Sequence, residues 1–304
     1  MSSILKELES HVNHHQARVK GTSLHYVTGG LETGPVCVLL HGFPQNWLTW
    51  RYVIPKLLST HKVIAIDLKG YGESDKPSDM ESYDTSIVAS EIYELLQHLK
   101  IKEALIVGHD RGARIARRLA LDSPDVVAGL IFIDILPTEY IYGDLSAADA
   151  ATKYWHWTFQ IVNGLPEELI KGKEDIYLKF LLSRGDGLFN LLQSDGSWEA
   201  YLKSWMQPGA VLGALNDYRA TYHIDLPRYE IEATSKRMLD KKTLILWGEQ
   251  GNLHSLPVLD VWKRSITDIT GHQISGCGHY IPEERPNEVA NHIIKFSKSI
   301  EWSG

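Results

Sequence analysis

Short, nearly continuous apolar runs recur along this chain, and they constrain its fold more than any other feature. The runs are PVCVLL (35–40), KVIAID (62–67), ALIVG (104–108), GLIFID (129–134) and TLILWG (243–248). Helical patterns lie between most of them. Strands buried on both faces have this composition, and such strands alternate with helices in parallel sheets. The sequence therefore predicts an α/β fold with a mainly parallel twisted sheet flanked by helices.

Two segments depart from this rhythm. ARVKGTSLHYVTGG (17–30) alternates apolar and polar residues, as an antiparallel hairpin does. From about Thr138 to Ile224, helical patterns and aromatic residues replace the strands, which resume at TLILWG. Two consecutive domains would leave the last strand without partners. We therefore expect one core, formed by residues 1–137 and 225–304, with residues 138–224 inserted as a helical cap over the strand ends.

Composition and charge exclude several functional classes. The net charge of −7 and pI of about 6.1 give no reason to expect nucleic acid or a membrane surface as a partner. No signal-peptide core or membrane-spanning run is present, and Cys37 and Cys277 do not make a disulfide framework. We expect a cytoplasmic protein that acts on a small molecule. The sequence leaves room for a homodimer without fixing the oligomeric state.

Asp110 is the first candidate for catalysis. It lies in GHDRGARIARR (108–118), where a strand pattern gives way to a helix through a G-x-x-x-G turn of the kind that presents a nucleophile. Serine there would suit attack on a carbonyl group. An ionised aspartate needs no base and suits attack on a saturated carbon, because water can hydrolyse the resulting ester. The alternative is a structural pair between Asp110 and Arg114.

A base and an acid can be placed by chain order. In folds with such an elbow, the acid and then the histidine follow the nucleophile. His279, in SGCGHYIPEERP (275–286), is the first histidine after the presumed last strand and can take a proton from water. Asp134, at the end of FIDILP, can orient that imidazole. Glu249 is the less favoured alternative, and Asp134 has an alternative role as a cap or turn residue.

An oxyanion site is predicted from HGFPQ (41–45), which follows the strand VCVLL. One donor in such folds is the backbone N–H just after the nucleophile, here that of Arg111. The other comes from the loop after this strand, here the N–H of Phe43. Together they would stabilise the charge that develops when water adds to the ester.

Two arginines follow the nucleophile in the first helical turn. Arg111 and Arg114 are spaced i, i+3 and share a helix face, although positive charge there opposes the helix dipole. Guanidinium groups bind carboxylates through paired hydrogen bonds. A substrate carboxylate beside Asp110 would need such screening, so we infer a small carboxylic acid. The alternative is pairing of Arg114 and Arg118 with Asp122 or other acids, which suits Arg118 better than Arg111.

The cap carries candidate donors for a leaving anion. His156 and Trp157 lie in KYWHWTFQ (153–160), and Tyr218 lies in NDYRATY (216–222). Imidazole, indole N–H and phenol O–H can together bind a halide. Aromatic residues in a helical insert more often serve packing, so composition alone leaves both roles open.

The sequence resembles the α/β-hydrolase superfamily and, within it, the fluoroacetate dehalogenases, also called haloacetate dehalogenases. The similar segments, which cover most of the chain, are HGFPQ, DLKGYGESDKP, GHDRGAR, LALDSP, DILPT, YWHWTF, DYRA and CGHYIPEE. The resemblance implies Asp110 as nucleophile, His279 as base and Asp134 as acid. It also implies Arg111 and Arg114 as carboxylate clamps and a halide site of His156, Trp157 and Tyr218. One departure is the absence of a pocket tryptophan from LLSRGDGLFN (181–190).

The predicted reaction is hydrolysis of a carbon–halogen bond in a 2-haloacid, which converts fluoroacetate or chloroacetate to glycolate without a metal or cofactor. An epoxide hydrolase is the nearest alternative, because it shares the Asp/His/Asp chemistry and would use cap tyrosines such as Tyr154 and Tyr218. It has no need of Arg111 and Arg114. A non-catalytic binding protein is a further alternative, although it has no use for a nucleophile, a base and an acid together.

Overall fold

The computed structural model describes residues 3–184, 187–235 and 237–302. Its central element is one sheet of eight strands. They are β1 (Asn13–Val19), β2 (Thr22–Gly30), β3 (Val36–Leu40), β4 (Lys62–Ile66), β5 (Ala104–His109), β6 (Val127–Ile133), β7 (Thr243–Gly248) and β8 (Ile269–Ile274). The five apolar runs thus fall on β3 to β7, and the alternating segment falls on the β1–β2 hairpin.

The strands are ordered β1-β2-β4-β3-β5-β6-β7-β8 across the sheet. β1 and β2 pair antiparallel, as do β2 and β4, whereas all pairs from β4 to β8 are parallel. Every residue of β5 is buried, while the edge strand β8 exposes three of its six residues. The predicted α/β fold with a mainly parallel sheet is confirmed. The parallel pairing of β6 with β7 joins the two sequence halves in one sheet.

Helices outside the insert flank this sheet. They are α1 (Ser3–Glu9), α2 (Ile54–Leu57), α3 (Thr85–His98), α4 (Arg111–Asp122), α14 (Val258–Trp262), α15 (Ile281–Glu284) and α16 (Pro286–Ser297). Short 3₁₀ turns occupy Trp47–Trp50, Glu81–Tyr83 and Pro124–Val126. Helix α4 starts at the carboxyl end of the central strand β5, so it places the residues after Asp110 at the middle of the sheet edge.

Between β6 and β7 the described chain is helical. The helices there are α5 (Thr138–Gly143), α6 (Ala147–Lys153), α7 (Trp155–Gln160), α8 (Leu165–Ile170), α9 (Glu174–Leu182), α10 (Leu188–Asp195), α11 (Ser197–Trp205), α12 (Ala210–Ala220) and α13 (Leu226–Thr234). A π-helical turn, Thr221–Asp225, joins α12 to α13. The expected cap boundary at residue 224 falls within this turn, and α13 begins at Leu226.

The cap contacts the core through buried polar groups as well as apolar side chains. Arg51, in the loop after β3, donates from Nε to Asp195 at 2.8 Å and also pairs with Glu283. Trp205 donates from its indole nitrogen to the carbonyl of Pro44 at 2.7 Å. These bonds fix α10 and α11 above the loop that carries Phe43.

None of the helices in the described ranges is long and apolar enough to span a bilayer.

Candidate active site

Asp110 lies at a sharp turn between β5 and α4. Its φ of 47° is in the left-handed region, which non-glycine residues seldom adopt outside strained functional positions. The flanking glycines allow the turn because the backbone is too close for side chains. A Cβ at Gly108 would lie 2.4 Å from the amide nitrogen of Ala113, and one at Gly112 would lie 2.3 Å from the carbonyl oxygen of Leu40. The G-x-x-x-G spacing therefore follows from sterics.

The carboxylate of Asp110 is buried and has an asymmetric set of donors. Its Oδ2 accepts a hydrogen bond of 3.2 Å from the backbone N–H of Phe43. Burial raises the pKa of this carboxyl, but the positive charges and dipoles around it, led by His279 and followed by His109, outweigh burial. The pKa of Asp110 consequently lies below its ordinary value, and the group is an anion at neutral pH.

His279 and Asp134 lie together at the carboxyl ends of the strands. Nδ1 of His279 is 2.7 Å from Oδ2 of Asp134, whose Oδ1 accepts from the N–H of Gly248 at 3.0 Å. Burial lowers the pKa of His279, but the hydrogen bond and charge of Asp134 raise it above its usual value. Glu249 instead accepts from the N–H of Gly276 at 2.8 Å on the surface. The preferred acid position, Asp134, is thus the one in contact with His279.

His109 is a buried neighbour that the sequence patterns did not single out. Its Nε2 donates to the backbone carbonyl of His279 at 2.8 Å, and burial lowers its pKa to about 3. It is therefore neutral, and Nε2 carries the proton in this contact. Its position directly before Asp110 in the sequence was the available signal.

Arg111 has a carboxylate partner from the cap. Its guanidinium pairs with Asp217 and contacts Thr221, and it stacks on the ring of Tyr218 with 4.3 Å between the guanidinium carbon and the ring centroid. Asp217 also accepts a hydrogen bond of 2.8 Å from Tyr71. One terminal nitrogen of Arg111, Nη1, is buried without a hydrogen-bond partner in the described chain. Arg111 thus links α4 to α12 through Asp217, and its Nη1 remains available to bind a ligand.

Arg114 differs because no carboxylate among the described residues lies within ion-pair distance. Its Nη2 donates to the carbonyl of Leu136 at 3.3 Å, while Nε and Nη1 are buried and unpartnered. The guanidinium carbon lies 4.7 Å from the centroid of a Trp157 ring. Burial and the charge of Arg111 lower the pKa of Arg114. Burial of a cation with two unpartnered donor nitrogens destabilises the folded protein unless an anion binds those donors.

Arg118 lies one turn further along α4. For Arg114 and Arg118, the sequence left open the alternative of ion pairs with Asp122 or other acids, and Arg118 has such pairs. It forms ion pairs with Asp122 and with Glu232. Neither acid pairs with Arg114 in the described chain.

A cavity of about 70 Å³ opens beside Asp110 and reaches His279 and Asp134. His156, Trp157 and Tyr218 line the same cavity, and the rings of His156 and Trp157 lie edge-on to Tyr218, with centroids 6.2 and 5.9 Å away. Burial holds the pKa of His156 well below and that of Tyr218 well above the usual values. Both side chains are therefore neutral, and each can donate one hydrogen bond.

Tyr154 and Arg184 also line this cavity. Arg184 belongs to the segment 181–190, which lacks the expected tryptophan; residues 185 and 186 of that segment lie outside the described chain. The family resemblance predicts an aromatic residue in that segment, whereas the side chain that reaches the cavity is an arginine. In the described ranges, no group of three or more His, Cys, Asp or Glu side chains is placed to hold a metal ion.

Comparison with known proteins places the chain in a family. The family model for the α/β-hydrolase fold matches residues 35–286. The chain belongs to the α/β-hydrolase family. It is therefore a hydrolase, and Asp110, Asp134 and His279 lie after the carboxyl ends of β5, β6 and β8 of its mostly parallel sheet.

Curated relatives of this hydrolase with two different activities have similar sequence identities to it. A fluoroacetate dehalogenase from a Burkholderia species is 33% identical over 288 residues, which cover 91% of each chain. A soluble epoxide hydrolase from Corynebacterium sp. strain C12 is 32% identical over 294 residues, 95% of this chain and 98% of the relative. The crystal structure of ALR0039 from Nostoc sp PCC 7120 has a TM-score of 0.88 and 32% identity, covering 94% of this chain and 98% of that one.

Proposed function

We propose that this hydrolase removes halide from a 2-haloacid of haloacetate size and releases glycolate. Asp110 attacks the α-carbon, the carbon–halogen bond breaks with its electron pair on the halide, and an ester forms on the aspartate. Water then adds to the carbonyl carbon of the ester and gives a proton to His279. The bond between that carbon and the ester oxygen Oδ1 breaks, glycolate leaves with Oδ1 and takes up a proton, and the water oxygen stays in the carboxylate of Asp110. The products are glycolate, halide and one proton, so atoms and charge balance.

The observation that carries the proposal is the unpartnered guanidinium of Arg114. Two of its nitrogens and Nη1 of Arg111 are buried donors without partners in the described ranges. They suit a substrate that brings its own carboxylate, which the charge of Asp110 would otherwise repel. Arg114 adjoins the cavity through its contacts with Leu136 and Trp157 of the cavity wall. That carboxylate would satisfy the donors and would fix the α-carbon in line with Asp110.

Cavity size agrees with a small substrate. A volume of about 70 Å³ corresponds to roughly two water molecules at about 30 Å³ each. Haloacetates are among the smallest organic acids, so a cavity of this size favours them over larger substrates. His156, Trp157 and Tyr218 at the cavity wall offer the departing anion neutral hydrogen-bond donors, which is the role we assign to them.

Epoxide hydrolysis is the second candidate, because Tyr154 and Tyr218 both line the cavity. Burial raises the pKa of each phenol, so both are protonated and able to donate to an epoxide oxygen. Curated epoxide hydrolases also stand among the relatives. The unpartnered Arg114 has no function in this reaction, and this favours the haloacid.

Measurement of halide release decides between the two. The purified enzyme is incubated with fluoroacetate, chloroacetate or bromoacetate, and with styrene oxide, while halide and diol are quantified. We expect halide from at least one haloacid and a loss of roughly a thousandfold or more in Asp110→Asn. Asp260→Asn, at an exposed acid paired with Lys263, is the matched control. Diol without any halide would replace the proposal with epoxide hydrolysis.

A further inference from the structure

Arg184 is an arginine of the cap that faces the catalytic cavity. It follows α9 and lies on the cavity wall with Asp110, His156, Tyr218 and His279. Among the described side chains that line this cavity, it is the permanent cation. Arg111 and Arg114 are not among the lining residues, but Arg114 contacts two that are, Leu136 and Trp157.

The guanidinium of Arg184 is held in a fixed position. Nε donates to the carbonyl of Leu181 at 3.1 Å, and Nη2 lies 3.4 Å from the hydroxyl of Tyr280. The hydroxyl of Tyr280 in turn donates to the same Leu181 carbonyl at 3.0 Å. Because Tyr280 follows His279 in the chain, this network joins the end of α9 to the histidine loop.

No acidic side chain in the described ranges forms an ion pair with Arg184. Its charge acts instead on the neighbouring cavity residues. Burial is the largest influence on the pKa of His156, and the charge of Arg184 is the next, acting in the same downward direction. Arg184 and His156 thus line the same cavity, and His156 is one of the residues to which we assign the departing halide.

We propose that Arg184 donates a charged hydrogen bond to the departing halide and thereby favours fluoride over larger halides. The inference rests on the proposed dehalogenation. As Oδ1 of Asp110 bonds to the α-carbon, the carbon–halogen electron pair moves onto the halogen, and no proton is needed. Fluoride concentrates this charge in the smallest volume, so it gains most from a charged donor.

The test compares Arg184→Met and Arg184→Lys with the wild type on fluoroacetate and bromoacetate. For Arg184→Met we expect kcat on fluoroacetate to fall about tenfold or more beyond its fall on bromoacetate. Arg184→Lys keeps the charge and should retain the larger part of the fluoride rate. Arg264→Met is the matched control, because that arginine is exposed and pairs with Asp144 at the surface.

The outcomes separate this inference from the proposed function. Equal losses on both substrates, or a change confined to KM, would overturn the role of Arg184 and leave dehalogenation standing. A wild type that releases chloride and bromide but not fluoride would also overturn it. Absence of halide release from every haloacid would overturn both proposals. If Arg184→Met fails to fold by circular dichroism, Arg184→Gln provides the uncharged comparison at similar length.

Discussion

The backbone N–H of Phe43 donates to Oδ2 of Asp110 at 3.2 Å, and this contact makes the two oxygens of the carboxylate inequivalent. An oxygen held by a donor is a poorer nucleophile, so Oδ1 is left for attack on the substrate. Once the ester has formed, Oδ2 is its carbonyl oxygen. The same N–H then points to the position where negative charge develops during hydrolysis. Whether the amide of Arg111 supplies a second donor stays a prediction.

Gly42 controls the approach of these two groups. A Cβ at Gly42 would lie 2.6 Å from the Cβ of Asp110 and 3.1 Å from its Oδ2. We expect Gly42→Ala to displace the carboxylate from the Phe43 amide and to reduce kcat by roughly a hundredfold or more, with the fold retained. Gly143→Ala is the control, since no neighbouring atom lies within 4 Å of the position that its methyl group would take. Equal activity of both variants would contradict the close packing at Gly42.

Removal of the base should stop the reaction halfway. Attack by Asp110 needs no proton transfer, whereas hydrolysis of the ester needs His279. We therefore expect His279→Asn to release one halide per active site and then to stall. Mass spectrometry of the peptide containing Asp110 should detect a carboxymethyl ester. An unmodified peptide after a burst of halide would show that another group activates the water.

The pairing of Asp134 with His279 predicts a specific pH dependence. His279 acts as a base only when neutral, and Asp134 raises its pKa above the usual 6.5. The rate of ester hydrolysis should thus increase as pH rises through that raised pKa. Asp134→Asn removes the anion, so the acid limb of the kcat profile should move to lower pH while its plateau falls by roughly a hundredfold or more.

The matched control for this profile is Glu249→Gln, since Glu249 binds the Gly276 amide at the surface. We expect its acid limb to coincide with that of the wild type. A limb that stays in place in Asp134→Asn, or moves to higher pH, would mean that another group sets the pKa of His279.

The strands of the core could be predicted from the sequence, because burial on both faces gives each strand a continuous apolar run. β3 to β7 are buried on both faces, so each appears as an apolar run, and chain order then brings Asp134 and His279 to one edge of the sheet. The steric need for Gly108 is local in the same way, whereas the need for Gly112 comes from the neighbouring strand β3. These features depend on residues close in sequence or on the topology of the sheet.

The polar partners of the arginines could not be predicted from the sequence, because they come from distant parts of the chain. Arg111 meets Asp217 only when α12 of the cap packs on α4, and helix periodicity does not specify that contact. Arg184 reaches the cavity through its bonds to Leu181 and Tyr280. The family resemblance implies a tryptophan in the segment 181–190. It does not indicate that an arginine from this segment lines the cavity.

Arg114 should show opposite effects on binding and stability. Its guanidinium is buried with Nε and Nη1 unpartnered, so replacement by an apolar side chain of similar length removes a desolvation cost. We expect Arg114→Met to unfold at an unchanged or higher temperature, while KM for a haloacetate rises about tenfold to a hundredfold through loss of charged hydrogen bonds. Thermal unfolding and steady-state kinetics on one preparation measure both effects.

Arg118→Met is the matched variant, because Arg118 lies on the same helix and has two carboxylate partners, Asp122 and Glu232. Loss of that arginine should lower the free energy of unfolding by about 1–2 kcal/mol, since its partners are partly exposed, and should leave KM unchanged. If Arg114→Met lost stability to the same extent with KM unaltered, Arg114 would be a structural residue. The substrate carboxylate would then have to bind a group other than Arg114.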